Sequence, residues 1–146
     1  MCMARIVLAG TLERYPSLRI LTHHSGGMIP TFGQRVGANP VGFQGPEHAA
    51  EQQAFQRLPH PPQAYFKRFF ADTTVGAVAR TLRASIDFFG VDHVLFGTDW
   101  PFGPATEEEA SIAPTVSALR EGLNLSPAGL EQILGNNARR LLGVTT

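Results

Sequence analysis

The chain has 146 residues, close to the usual size of one domain and long enough to bury a core. Its 12 basic and 12 acidic residues cancel, which argues against an electrostatic nucleic-acid binder and against a polybasic membrane anchor. The single cysteine, Cys2, excludes an internal disulfide, and no apolar run approaches the roughly 18 residues that cross a bilayer, so the expectation is a cytoplasmic protein.

Ile6, Leu8, Ala9 and Leu12 recur at roughly helical spacing and predict an opening helix that Tyr15-Pro16 stops. Leu18–His24 is a short apolar run ahead of Ser25-Gly26-Gly27 and reads as a strand. Met28–Val36 is expected to be helical, with Pro30 in its first turn. Residues 37–62 lack clean periodicity and carry many glycines and prolines. They read as a long irregular loop with one helical turn around Glu47–Arg57. Phe69–Thr73 reads as a second strand, with Asp72 or a threonine capping a helix over Ala77–Phe89. In that helix Val78, Leu82, Ile86 and Phe89 share a face, and Gly90 ends it. His93–Asp99 reads as a third strand, buried on both faces. A capping box at Thr106 and Glu109 predicts a helix from near Glu107, which Pro114 should kink or split. Ser126-Pro127 opens a last helix, and Gly143 stops it.

Strands alternating with helices imply right-handed crossovers and a parallel sheet. In such sheets chemistry collects at the carboxyl ends of the strands. Those ends carry His23-His24, Asp72-Thr73-Thr74 and Asp99-Trp100. Adjacent residues on a strand face opposite ways, so at most one of the two histidines enters a shared crevice. Such a histidine can be a base, an acid or a metal ligand, or can simply bond a nearby carbonyl. Asp99 follows an apolar strand with no helix starting at once, which points to a functional carboxylate. Asp72 reads as a cap and His93 as structural. A histidine and an aspartate at separate strand ends fit a metal-dependent hydrolase or lyase using zinc or manganese. A catalytic zinc needs about three protein ligands, more than these ends offer.

Several stretches together resemble the amidohydrolase-related family that includes aminocarboxymuconate-semialdehyde and resorcylate-type decarboxylases. They are Leu12-Glu13-Arg14-Tyr15-Pro16 through His24-Ser25-Gly26-Gly27, Tyr65–Thr73, Val91–Phe102 and Gly135-Asn136-Asn137-Ala138-Arg139-Arg140-Leu141-Leu142-Gly143. The resemblance implies a partial metal-dependent (β/α)8 barrel over residues 1–146, holding about the last three strands with their helices. It implies that His24 is the catalytic histidine of strand six, an acid/base that activates water or orients substrate. It implies that Asp99 is the strand-eight aspartate, a metal ligand and proton shuttle. The implied cofactor is a divalent metal, zinc before manganese, and the implied partner a small carboxylated substrate, aromatic or muconate-like. The family's paired strand-one histidines (H-x-H) and its strand-five histidine have no counterpart here. Gly76 stands where the decarboxylase has a histidine after strand seven. Three strands would leave apolar edges near Ile20 and near Leu95, so a homo-oligomer or association with the remaining barrel is expected. The alternative is an inactive truncated or split product that serves only as an oligomerising or interaction module.

Overall fold

The computed structural model describes residues 2–38, 45–100 and 108–144. Three short strands form one parallel sheet in sequence order: β1 (Leu21–Thr22), β2 (Phe70–Asp72) and β3 (Val94–Leu95). Leu21 pairs with Phe70, Ala71 with Val94, and Asp72 with Leu95. The expected partial α/β barrel sheet is therefore present. All three residues of the central strand are buried, as a strand covered on both faces requires.

The expected first helix is two helices, α1 (Cys2–Leu8) and α2 (Thr11–Arg14), separated at Gly10 with φ 69°. The apolar periodicity continues across the break because both pieces face one core, through Met3, Ala4, Val7, Leu8 and Leu12. After β1 come α3 (Ile29–Ala38), α4 (Ala49–Gln56) and α5 (Pro62–Phe66). Within 37–62, the one helical turn expected around Glu47–Arg57 is longer than expected: a 3-10 turn over Pro46–His48 runs into the two full turns of α4. No residue of α4 is buried, so it carries no apolar stripe and leaves no periodic signal to read. The expected loop residues 39–44 lie outside the described residues.

The crossover from β2 to β3 is α6 (Ala79–Phe89), which buries Leu82, Ser85, Ile86 and Phe89 at helical spacing. Next comes α7 (Glu108–Glu121), which Pro114 does not split. Proline costs that helix one backbone bond. The buried Thr115, Leu119 and, beyond the helix, Leu123 hold the second half against the core. The start of this helix near the capping box lies outside the described residues.

The chain closes with α8 (Pro127–Glu131), a π-helical turn over Gln132–Asn136, and α9 (Asn137–Leu142). Ser126 caps the first by accepting from Gly129 N–H, and Gly143 ends the last in the left-handed region. The π turn has a structural role. A wider turn leaves a carbonyl free of the helix ladder, and the Ile133 carbonyl accepts from Phe96 N–H at 2.9 Å. Asn137, fully buried, donates from Nδ2 to the carbonyls of Val91 (2.8 Å) and Val94 (2.7 Å). The outer edge of β3 is therefore covered, so only one of the two expected open edges exists there as an edge. On the other side the Ile20 carbonyl faces β2, accepting from Phe70 N–H, so strand alternation turns the peptide groups of Leu21 outward. Leu21 and Leu18 are about two-fifths exposed on that side. No helix among the described residues is long and apolar enough to cross a membrane.

Two outcomes follow. Asn137→Ala leaves two carbonyls unpaired in the core and is expected to lower unfolding free energy by about 2–4 kcal/mol in denaturant titration. Tyr65, buried against α1, donates its hydroxyl to Glu13 Oε1 at 2.7 Å. Burial, and then the Glu13 bond, push its pKa above 10.0. The unfolded chain then loses this proton first, so stability is intact below pH 10 and falls as pH rises through the folded pKa. Tyr65→Phe is expected to be less stable at neutral pH by about 1 kcal/mol. The gap to the parent should narrow above pH 10.

Candidate functional site

The parallel sheet puts all strand carboxyl ends on one side, and the buried Asp72 at the end of β2 joins the first two of them. Its Oδ1 accepts from the backbone N–H of Ser25 and of Thr74, both at 3.1 Å. Its Oδ2 lies 3.1 Å from His23 Nδ1. Its own carbonyl accepts from Ser25 Oγ at 3.0 Å. Asp72 is therefore not the cap of α6. The cap position there is Val78, with no side-chain cap. Asp72 lies too far before Val78 to reach the first turn, and the turn after β1 brings it donors instead.

That turn is unusual backbone. His24, Ser25, Gly26 and Gly27 have φ of 55°, 54°, 80° and 59°. Left-handed backbone costs roughly 1–2 kcal/mol for each residue with a side chain. The cost falls on His24 and Ser25, and local bonds offset it: Gly26 N–H to His23 O, Gly27 N–H to His24 O, and the pair from Ser25 to Asp72. Gly26 is required twice over. A Cβ there would sit 2.5 Å from the buried ring of Phe89.

The turn sends the two histidines to different partners. His23 is held by Asp72, although its side chain is 76% exposed. His24, exposed, has Nδ1 3.0 Å from the Thr74 carbonyl. A carbonyl only accepts, so Nδ1 carries a hydrogen and the ring faces outward with Nε2. Nε2 is thus the atom that can hold or release a proton or take a ligand.

The third end is pinned by Thr73, which is fully buried. Its Oγ1 donates to the Gly97 carbonyl (2.8 Å) and accepts from Gly97 N–H (3.0 Å). A Cβ on Gly97 would meet Thr74 Oγ1 at 3.2 Å and Asp72 Cβ at 3.3 Å, so the segment leaving β3 lies directly on the end of β2. It then carries Asp99, exposed and left-handed at φ 65°, and Trp100, 60% exposed. Both sequence-picked residues, His24 and Asp99, thus stand at the same end of the sheet in backbone that side chains avoid. Such conformations persist where the surroundings over-determine them.

Sequence reasoning missed Asp72, Thr73 and Ser25 as the framework of this end, and His23 as the partner of Asp72. The signal was available: three consecutive polar residues closing a wholly apolar strand must find partners when buried. His48 lies 3.9 Å from Glu47 and from Glu51. His93 bonds the Phe89 carbonyl and stacks edge-on against Phe70, a structural position as expected. Among the described residues no three His, Cys, Asp or Glu side chains gather closely enough to hold a metal ion. Among the described residues the strand ends thus offer single donors and not the three a catalytic zinc needs.

A profile of the amidohydrolase family matches residues 3–144. The 2-amino-3-carboxymuconate-6-semialdehyde decarboxylase of Dictyostelium discoideum is 26% identical over 145 residues, covering 98% of this chain and 36% of its own length. Among solved structures, 5-carboxyvanillate decarboxylase of Sphingomonas paucimobilis superposes with a TM-score of 0.74 at 25% identity, over 97% of this chain and 38% of that one. A dihydroxybenzoic acid decarboxylase of Polaromonas sp. JS666, with bound manganese and the inhibitor 2-nitroresorcinol, superposes at 0.72 and 24% identity, over 97% and 39%. The last likeness speaks to the fold. The chain spans 28–39% of the length of the curated relatives it matches.

Asp72→Ala is expected to cost about 2–4 kcal/mol, because two buried N–H groups lose their acceptor and the left-handed turn loses its anchor. Denaturant titration reads the loss. Ser25→Ala, which removes only one hydroxyl bond, is expected to cost about 1 kcal/mol.

Proposed function

Because the chain belongs to the amidohydrolase family, we propose that it forms the C-terminal part of a decarboxylase barrel acting on a small carboxylated substrate, aromatic or muconate-like. The observation that carries this reading is the fixed ring of His24. Its Nδ1 is committed to the Thr74 carbonyl, so Nε2 is presented at the strand ends beside the segment that bears Asp99. Decarboxylation breaks a carbon–carbon bond; carbon dioxide leaves and the electron pair stays on the substrate carbon. That carbon then takes a proton, and His24 Nε2 is the group that delivers it. The exposed Trp100 ring next to Asp99 offers a flat apolar wall for an aromatic substrate.

Asp99 would supply one ligand to a divalent ion, zinc or manganese, whose other ligands would come from the remaining barrel. When bound, such an ion supplies Lewis-acid polarisation of substrate or water. Manganese in the Polaromonas relative supports the choice of a divalent ion. Hydrolysis uses the same groups, with His24 taking a proton from water instead.

A second reading is favoured by one observation, the lack of a three-donor cluster among the described residues. In it the chain is catalytically silent and serves as an oligomerising or interaction module. One experiment separates the two. Metal content per chain is measured by plasma mass spectrometry on the barrel that this chain completes, and carbon dioxide release from that assembly is followed with carboxylated phenols and added manganese or zinc. The proposal expects near-stoichiometric metal that Asp99→Ala loses, and turnover that His24→Ala lowers at least 100-fold with metal retained. Absent metal and absent turnover, or turnover indifferent to His24→Ala, overturns it.

A further inference from the structure

We propose that the opposite end of the sheet, where the strands begin, carries a binding site for a phosphate group. Arg19 stands two residues before β1, Lys67 and Arg68 two to three before β2, and His93 immediately before β3. Parallel strands bring these positions to one side, away from His24 and Asp99. There they line a depression of about 400 Å³ together with Ser17, and among the described residues no acidic one lines it. In a chain with no net charge, three of 12 cations share this one depression.

The two arginines are held in place by carbonyls rather than by carboxylates. Arg68 donates to the carbonyls of Leu12 (3.3 Å) and Pro16 (2.7 Å). Arg19 donates to the Leu141 carbonyl at 3.2 Å. His93 is fixed through Nδ1 on the Phe89 carbonyl, which leaves Nε2 free of that bond. Among the described residues none of Arg19, Lys67 and Arg68 pairs with a carboxylate. Each guanidinium has five N–H groups, so one or two carbonyl bonds leave donors to spare. Backbone carbonyls carry only partial charge and cannot balance three full positive charges. A tetrahedral oxyanion can, by accepting from arginine forks and from the lysine point charge at once. The depression has room for a phosphate monoester as well as for the free ion.

The competing account is that these side chains only cap helix ends and bind nothing. Calorimetric titration of the 146-residue chain with inorganic phosphate, at constant ionic strength and with a chelator present, decides between them. The proposal expects saturable binding to one site per chain. Lys67→Glu, an exposed position, should weaken it at least tenfold, and Arg19→Gln at least twofold, with circular dichroism unchanged. Asp99→Ala should leave it intact, which keeps this site distinct from the opposite end. Phenyl phosphate that binds at least as tightly identifies the ligand as a monoester; binding of the inorganic ion alone identifies the free anion. No saturable binding, binding indifferent to Lys67→Glu, or binding lost in Asp99→Ala overturns the proposal.

Discussion

The carboxylate of Asp72 is the interaction on which the functional end of this molecule depends. It is buried, and it accepts from Ser25, Thr74 and His23 at once. A buried carboxylate without partners would be too costly to keep. Here its bonds stabilise a turn that would otherwise be strained. The strained turn in turn aims His24 at the Thr74 carbonyl and leaves Nε2 outward. Charge satisfaction, backbone conformation and the orientation of a reactive ring are therefore one problem with one solution.

A second constraint acts across the sheet. Thr73 uses its hydroxyl both as donor and as acceptor on Gly97, which draws the segment after β3 onto the end of β2. The glycine is what allows the approach, since a side chain would press on Thr74 and Asp72. Rigid elements place chemistry better than free loops do, and here both bearing segments are tied to the central strand. The other end of the sheet is organised differently, with cations resting on neutral carbonyls and keeping their charge.

The two edges of the sheet have different fates. The edge of β3 is closed within the chain by the Ile133 carbonyl and by Asn137, an arrangement that needs the π turn. The edge of β1 keeps its outward peptide groups and its half-exposed leucines. Unpaired edges of parallel sheets are places where further structure pairs, and relatives of this chain are about 2.5 to 3.5 times longer than the part it matches.

Much of this was legible in the sequence alone. Short apolar runs bounded by glycine and proline, and the Leu82–Ile86–Phe89 stripe, determined the strands and the crossover helix, because burial imposes periodicity. The resemblance of four motifs pointed to the family, and the ends of the apolar runs put His24 and Asp99 at strand ends, because strand ends are local in sequence. The helix α4 was read only as one turn because an element that buries no residue leaves little pattern. The role of Asp72 escaped because its partners His23 and Ser25 lie 47 to 49 residues away in β1's turn, while a nearer helix offered a simpler explanation. The closing of β3 by a π turn, and the gathering of Arg19, Lys67, Arg68 and His93, were likewise decided only by tertiary structure. Hydrogen-bond satisfaction and charge placement are settled between segments distant in sequence, and no local pattern encodes them.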